Sequence, residues 1–289
     1  MKRIVVCGVG LIGGSFALAA KRAGICGEVV GVGRSQATLD TALRLGIVDA
    51  ITSDWASALR GADLVLLGMP VGQMAGVMQA MVPHLGPDTV VTDAGSTKAD
   101  VIAAARACLG AHAARFVPGH PIAGAERSGA EAARADLFDG KRVVLTPLDE
   151  NPPACVEAVA EAWRACGARV SQLSGAEHDR VFAAVSHLPH LLAFALVHEF
   201  AGRANADQLF GFAASGFRDF TRIASSHPEM WRDICIANRH ALLGELDAYM
   251  AELMRARVLL AGADADGLAE LFDLARTRRD AWLASLDTP

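Results

Sequence analysis

A glycine-rich turn near the start of the chain has the spacing of a dinucleotide-binding loop. Residues 8–13 read GVGLIG, which matches GxGxxG, and they lie between a β-branched run and a helical pattern. Gly8 permits the tight turn, Gly10 lets the backbone approach a pyrophosphate, and Gly13 lets the helix pack on the strand. The N–H groups of that helix then face the phosphates. The turn predicts a dinucleotide cofactor, with a purely structural turn or another nucleotide as the alternatives.

The segment after the second predicted strand indicates which dinucleotide the site suits. An NAD site usually carries an acidic residue there for the ribose hydroxyls, but residues 31–36 read GVGRSQ and no acid precedes Asp40. Arg34 and Ser35 suit a 2′-phosphate instead, because arginine presents a planar fork of donors. NADP is therefore favoured over NAD, and the alternative is a solvated Arg34 beside an NAD site without its usual carboxylate. The predicted cofactor-binding residues are Gly8, Gly10, Leu11, Ile12, Gly13, Arg34, Ser35 and Pro70.

Short β-branched runs alternate with helical patterns through the first part of the chain. Such alternation predicts a parallel sheet that is covered by helices on both faces. The predicted strands are residues 4–7, 28–32, 63–67, 89–92, 115–117, 142–146 and 169–173. The fold class is therefore α/β, with a Rossmann-type dinucleotide-binding domain over residues 1–173.

From residue 174 the pattern changes to long amphipathic or apolar helices without a convincing strand. We expect residues 174–289 to form an all-helical second domain. Residues 181–201 are nearly all apolar, which predicts a helix that is buried all round, in part against a partner subunit. Pro189 should kink this helix because it removes one backbone donor.

The composition excludes several functional classes. The chain has 289 residues, of which 52% are hydrophobic and 20% charged, so it suits two folded domains. Its 27 Lys+Arg against 32 Asp+Glu give a net charge of -5, which argues against a nucleic-acid partner. No signal peptide is evident, and apolar stretches such as 191–197 are shorter than a membrane span. The six scattered cysteines lack CxxC spacing, so we expect no metal site and free thiols in a reducing cytoplasm.

Several later segments together resemble those of the prephenate dehydrogenase family, which includes arogenate and cyclohexadienyl dehydrogenases. They are DAGSTK at 93–98, GHPIAGAE at 119–126, SHLPH at 186–190, GFRDFTRIA at 216–224 and MWRDI at 230–234. The resemblance covers nearly the whole chain and implies a cofactor domain joined to a helical dimerisation domain. It implies oxidative decarboxylation of prephenate to 4-hydroxyphenylpyruvate and carbon dioxide, with hydride transfer to NAD(P), in tyrosine biosynthesis.

The resemblance also implies roles for individual residues. His120 matches the histidine that accepts a hydrogen bond from the ring hydroxyl and polarises it. Ser96 matches the serine that orients this histidine and the hydroxyl. Imidazole suits this role because its pKa lies near working pH. Arg222 matches an arginine that holds a substrate carboxylate in a bidentate fork. Arg218 supplies a second positive charge in this interpretation, or else forms a surface ion pair with Asp219.

The remaining predicted substrate-binding residues also come from the resemblance. His190 and Ser186 line the pocket, and His190 donates to the substrate's side-chain carboxylate or ketone. Glu126 gates the pocket. Trp231 forms a pocket wall reached from the partner subunit, with core packing as the alternative. Ser215 lies near the position of a tyrosine inhibitor.

Other functions remain open at this point. Glu126 and His190 favour prephenate over arogenate, with dual use and inhibition by tyrosine as further expectations. A β-hydroxyacid dehydrogenase would need a lysine in its helical domain, but lysines occur only at Lys2, Lys21, Lys98 and Lys141. A non-catalytic NADP-sensing regulator would keep the glycine turn but would not need His120, Ser96 or Arg222.

Overall fold

The computed structural model of the protein describes residues 1–125 and 127–286. The strands are β1 (Arg3–Cys7), β2 (Glu28–Val32), β3 (Ala50–Ile51), β4 (Leu64–Leu67), β5 (Val90–Asp93), β6 (Phe116–Val117), β7 (Gly119–Pro121), β8 (Arg142–Leu145) and β9 (Arg169–Gln172). The helices among them are α1 (Leu11–Arg22), α2 (Gln36–Arg44), α3 (Trp55–Leu59), α4 (Met74–Met81), α5 (Ala99–Cys108) and α6 (Pro153–Ala165). Short 3-10 turns cover Val71–Gln73, Val82–His84, Gly110–Arg115 and Ala130–Ala132.

The later part of the described chain is helical. It comprises α7 (Gly175–Phe182), a π-turn (Ala183–His187), α8 (Leu188–Ala201), α9 (Ala206–Gly211), α10 (Ser215–Thr221), a 3-10 turn (Arg222–Ser225), α11 (Pro228–Ala237), α12 (Arg239–Ala261) and α13 (Ala265–Leu286). Together with the strand–helix alternation before it, this confirms the predicted fold class.

The main sheet is parallel and has the strand order β3-β2-β1-β4-β5-β6. Its central strands are buried except for half-buried Arg3 at the start of β1, as expected for a parallel sheet with helices on both faces. The strand order reverses between β1 and β4, and ligands of such sheets bind outside the carboxyl ends of the strands at that point. The glycine turn after β1 and the Met69–Pro70 segment after β4 meet there.

A second, smaller sheet has the order β7-β8-β9. β7 pairs with β8 in antiparallel fashion, whereas β8 and β9 are parallel. The two predicted strands at 142–146 and 169–173 therefore exist, but they do not extend the main sheet as expected. β7 was not expected, because three residues around a histidine and a proline carry no strand pattern.

An aromatic cluster binds helix α6 to the body of the protein. Trp163 is fully buried and makes edge contacts with Phe16 at 4.8 Å and Phe138 at 5.1 Å between ring centroids. These side chains belong to the hydrophobic layer on one face of the main sheet. A second layer, which includes Met74, covers the other face.

The apolar helix after residue 181 is only partly covered by its own chain. Val181 is 45% and Val185 65% exposed, and burial of these side chains against a partner subunit stays a prediction. The run Gly175–Ala201, 27 residues including the π-turn, is also long and apolar enough to cross a membrane by length and composition. This corrects the expectation that every apolar stretch is too short. A core helix passes the same test, and this run also carries buried, hydrogen-bonded polar groups such as His178 and Asp179.

Contacts divide the chain into two compact units, Met1–Leu242 and Leu243–Pro289. The second unit holds the rest of α12 and helix α13, whose first turn is capped by Asp264 through a 2.9 Å bond from the Gly267 N–H. The helices α7 to α11 belong to the same unit as the main sheet. The division into domains at residues 1–173 and 174–289 stays a prediction.

Candidate active site

The glycine turn after β1 has the geometry of a phosphate-binding loop. Gly8 has φ +88°, and a side chain there would meet the Met69 backbone nitrogen at 2.9 Å. A Cβ at Gly13 would come within 2.2 Å of the Gly8 carbonyl oxygen, so only glycine lets α1 pack this closely. Gly10, in contrast, faces open space, and α1 begins after it without a side-chain cap. The free N–H groups and the open space above them fit the pyrophosphate of a dinucleotide.

The other predicted cofactor residues surround the same end of the sheet. Leu11 and Ile12 open α1, and Pro70 lies between β4 and the 3-10 turn Val71–Gln73. Arg34 is exposed after β2. The Ser35 hydroxyl already accepts a 3.3 Å hydrogen bond from the Thr38 N–H and caps α2.

A buried ion pair joins the loop after β5 to strand β7. Lys98 Nζ and Asp93 Oδ2 are in contact, and both side chains are completely buried. Lys98 Nζ also donates to the Gly119 carbonyl at 2.8 Å, and the Gly119 N–H donates to Asp93 Oδ1 at 3.0 Å. The loop that carries Ser96 is thereby fixed to the strand that carries His120. The structure thus brings the elements of the two predicted catalytic residues together.

His120 is held by a chain of two further side chains. Its Nδ1 lies 2.8 Å from His178 Nε2, and His178 Nδ1 lies 2.8 Å from Asp179 Oδ1. Burial lowers the pKa of His120 well below its usual value, and His178, Lys98 and His187 lower it further. His120 is therefore neutral at pH 7 and able to accept a proton.

Sequence reasoning did not single out His178 and Asp179. They follow Glu177, which completes a capping box with Ser174 at the start of α7, and such a pattern indicates only a helix start. Burial would raise the pKa of Asp179, but hydrogen bonds from His178, Ala99 and Lys98 outweigh it and hold the pKa below its usual range. Asp179 is therefore an ionised carboxylate at neutral pH. The only feature of the sequence that could have indicated a functional role for His178 and Asp179 is that a histidine and an acidic residue stand next to each other.

His190 lies between helix α8 and the tryptophan of α11. Its Nδ1 donates to the Ser186 carbonyl at 2.8 Å, and its ring stacks on Trp231 with 3.5 Å between centroids. Burial lowers the pKa of His190, and the charge of nearby Arg222 lowers it further. The hydrogen bond to the Ser186 carbonyl raises this pKa, but by less than the other two effects together lower it. Neutral His190 therefore presents an acceptor at Nε2, and its role as a donor to the substrate stays a prediction. Trp231 contacts His190 of its own chain, and its place as a pocket wall reached from the partner subunit also stays a prediction.

The remaining predicted substrate residues differ in their surroundings. Arg222 opens the 3-10 turn that packs against α8, close enough to affect His190. Arg218 forms a 3.5 Å ion pair with Asp219, and both side chains are largely exposed. The ion pair of the surface alternative is thus present, and a role for Arg218 in substrate binding stays a prediction. Ser215 is the exposed first residue of α10. Glu126, the predicted gate, lies outside the described residues.

A second buried polar network joins Asn238 at the end of α11 to Asp179 of α7 and to His187. The Asn238 amide donates to the Asp179 carbonyl at 2.7 Å and to His187 Nδ1 at 3.1 Å. His187 is completely buried, and its Nε2 has no hydrogen-bond partner among residues 1–125 and 127–286. Burial lowers the pKa of His187 to about 4, although Asp179 and the Ser96 backbone oppose the change.

Two family models match the chain almost end to end. The model described as "Prephenate dehydrogenase, nucleotide-binding domain" matches residues 16–172. The model described as "Prephenate dehydrogenase, dimerization domain" matches residues 174–274.

Individual proteins that match this chain in sequence or structure belong to the same family. The chain is 38% identical over 275 residues to the cyclohexadienyl dehydrogenase of Zymomonas mobilis, covering 94% of this chain and 92% of that protein. It is 37% identical over 280 residues to the prephenate dehydrogenase of Bacillus subtilis, covering 96% and 75%. The crystal structure of prephenate dehydrogenase from A. aeolicus, in complex with hydroxyphenyl propionate and NAD+, superposes with a TM-score of 0.91 at 35% identity. That match covers 97% of this chain and 98% of the other.

The buried neutral His187 predicts a loss of stability in mild acid. The unfolded chain takes up a proton at its ordinary pKa of 6.5, but the folded chain resists it until about pH 4. Stability is therefore complete above pH 6.5 and falls as the pH drops from 6.5 to 4. At about 1.4 kcal/mol for each unit of pKa, His187 accounts for about 3 kcal/mol of this loss.

We expect His187→Asn, which keeps an acceptor for Asn238, to make the free energy of unfolding less dependent on pH in that range. Urea denaturation at several pH values measures this. The exposed variant His84→Asn should keep the dependence of the unmodified protein. Equal pH dependence in the unmodified protein and His187→Asn would contradict the assignment.

Proposed function

Because the chain belongs to the prephenate dehydrogenase family, we propose that it catalyses the oxidative decarboxylation of prephenate to 4-hydroxyphenylpyruvate and carbon dioxide in tyrosine biosynthesis. The observation that carries this proposal is a neutral, buried His120 fixed beside the Ser96 loop at the carboxyl edge of a Rossmann-type sheet. A base at that position is what oxidation of a ring hydroxyl requires.

His120 removes the proton of the ring hydroxyl in this proposal. The O–H bond breaks, its proton goes to His120 Nε2, and its electrons form the carbonyl as the hydride departs. Ser96 orients the hydroxyl towards the imidazole. Loss of the ring carboxylate then makes the ring aromatic, which renders the reaction effectively irreversible.

The cofactor in this proposal is NAD(P), which accepts the hydride when it is bound. Gly8, Gly10 and Gly13 shape the turn for its pyrophosphate, and Pro70 lines the switch point. Exposed Arg34 has no acidic neighbour before Asp40, which supports NADP over NAD. The relative from A. aeolicus was crystallised with NAD+, so NAD is the alternative.

Arg222 holds a carboxylate of the substrate in this proposal, and Ser186 and His190 lie on the helix beside it. One observation favours a second substrate. Neutral His190 offers a lone pair at Nε2, which suits the ammonium group of arogenate better than the ketone of prephenate. Use of both substrates would agree with the name of the Zymomonas mobilis relative.

We also propose that the protein is a homodimer in the cytoplasm, with tyrosine as an inhibitor that occupies the substrate pocket. The match to a dimerization domain supports the dimer, as do the large apolar side chains that one chain leaves exposed. Those on the helical part include Val185, Phe212, Ile236, Leu260 and Leu274. Binding of tyrosine would follow from its likeness to the aromatic product.

The proposed activity is tested by incubating the purified protein with prephenate or arogenate, each with NAD or NADP. We expect reduced cofactor to form fastest with prephenate and NADP, measured as absorbance at the reduced nicotinamide band. No turnover with any of the four pairs would refute the activity.

His120→Asn should lower kcat by about 100-fold or more because it removes the base. Its cofactor affinity should stay unchanged, and a parallel loss of that affinity would contradict the role of His120.

Arg34→Ala tests the choice of cofactor. Because a charged hydrogen bond contributes about 1.5–3 kcal/mol, the KM for NADP should rise about 10-fold or more while that for NAD changes little. Arg44→Ala, a matched change at the exposed last residue of the helix α2 that follows Arg34, should leave both values unaltered. An equal effect of Arg34→Ala on both cofactors would remove the 2′-phosphate assignment.

The oligomeric state is measured by light scattering coupled to size-exclusion chromatography. We expect a mass twice the 30.2 kDa of one chain, because burying an exposed apolar surface stabilises association. A mass of one chain at micromolar concentration would refute the dimer.

A further inference from the structure

We propose that His178 and Asp179 are positioning residues that fix the tautomer of His120, an inference that rests on the proposed dehydrogenase function. The three side chains form one hydrogen-bonded chain. His120 Nδ1 and His178 Nε2 are 2.8 Å apart, and His178 Nδ1 and Asp179 Oδ1 are also 2.8 Å apart. All three residues are buried.

The direction of every proton in this chain follows from its anchored end. Asp179 Oδ1 accepts from the Lys98 N–H at 2.8 Å, and Oδ2 accepts from the Ala99 N–H at 2.8 Å. Backbone N–H groups only donate, so the carboxylate can act only as an acceptor towards both of them. With both oxygens held in this way, the carboxylate cannot rotate. The hydrogen between Asp179 and His178 must then belong to His178 Nδ1.

The tautomer of His178 in turn determines the tautomer of His120. A neutral His178 with a hydrogen on Nδ1 has its lone pair on Nε2. His178 Nε2 must therefore accept from His120 Nδ1, which leaves the lone pair of His120 on Nε2. That is the tautomer a base needs if its Nε2 is to receive the hydroxyl proton. In the other tautomer Nε2 carries a hydrogen and cannot accept.

The surroundings hold the rings in this arrangement. Phe182 packs against both imidazoles, with centroid distances of 4.8 Å to His120 and 4.5 Å to His178. The Asn238 amide donates to the Asp179 carbonyl at 2.7 Å and so fixes the backbone of α7 at this point. His178 and Asp179 are thus placed by contacts that do not involve the substrate.

The arrangement also suits His120 after it has taken the proton. Imidazolium has hydrogens on both nitrogens, and the one on Nδ1 already has an acceptor in His178. No proton has to pass along the chain, because the carboxylate stabilises the new charge through the intervening ring. A serine-protease triad uses an aspartate in the same way, and replacing that aspartate by asparagine produces the wrong tautomer.

The first experiment measures the tautomer of His120 directly in the unmodified protein. The imidazole nitrogens are labelled with 15N, and the His120 signals are identified by their absence in His120→Asn. We expect the hydrogen on Nδ1 at pH 7. A hydrogen on Nε2 would overturn the proposal, and this measurement does not depend on turnover.

The second experiment replaces Asp179 by asparagine. An amide must direct its NH2 group at a backbone N–H donor in either orientation, Lys98 at the Oδ1 position or Ala99 at the Oδ2 position. At the Oδ1 position the NH2 group also faces His178 Nδ1, and the hydrogens along the chain then reverse. We expect Asp179→Asn to lower kcat by about 100-fold or more while KM changes about threefold or less. The His120 hydrogen should move to Nε2, an effect that a purely structural role would not produce.

Asp54→Asn is the matched control, because Asp54 also accepts a backbone hydrogen bond at a helix start, 2.9 Å from the Ser57 N–H. Its kcat should equal that of the unmodified protein. Undiminished kcat in Asp179→Asn would overturn the proposal while leaving the proposed activity intact. No turnover by the unmodified protein would refute the activity instead.

If Asp179→Asn does not fold, two variants at His178 test the same positioning role. His178→Gln keeps an acceptor for the His120 Nδ1 hydrogen, whereas His178→Leu removes it. We expect His178→Gln to retain at least about 10-fold more kcat than His178→Leu. Equal kcat values in these two variants would overturn the proposal.

Discussion

A buried ion pair between Asp93 and Lys98 holds the two sheets of the protein together at the site. Removing two charges from water costs several kcal/mol for each ion, so such a pair persists only when its remaining donors and acceptors are satisfied. Here the Gly95 and Gly119 N–H groups donate to Asp93, and the Gly119 carbonyl accepts from Lys98. Since Gly119 precedes His120, the position of the proposed base depends on this pair.

Much of the fold could be predicted because its signals are local. A β-branched run that is buried on both faces and a glycine turn before a helix are each readable within ten residues. The strand β1 and the turn at Gly8 were predicted for this reason. The motif around His120 was also readable, although its role came from a resemblance to known enzymes and not from the spacing of residues.

What sequence reasoning missed depends on contacts between distant residues. His120 and His178 are 58 positions apart, and no periodicity links a short strand to the first turn of a helix. The pairing of β7 with β8 has the same character. The sequence also did not show that Val185 is the part of this helix left exposed by one chain, because an apolar residue does not tell whether its burial occurs within one chain or between two.

The charges of the site show how an acidic protein can accept an anionic substrate. Lys98 is neutralised by Asp93, and Arg218 is paired with Asp219 at the surface. Burial keeps His187 and His190 neutral at pH 7 because it lowers the pKa of both. In the proposed site the positive charge for a substrate carboxylate comes from an arginine, which stays protonated in proteins. Arg222 is the arginine that we propose for this role, and its charge also lowers the pKa of His190. The proposed cation for the carboxylate and the neutral imidazole beside it would then be linked features of one site.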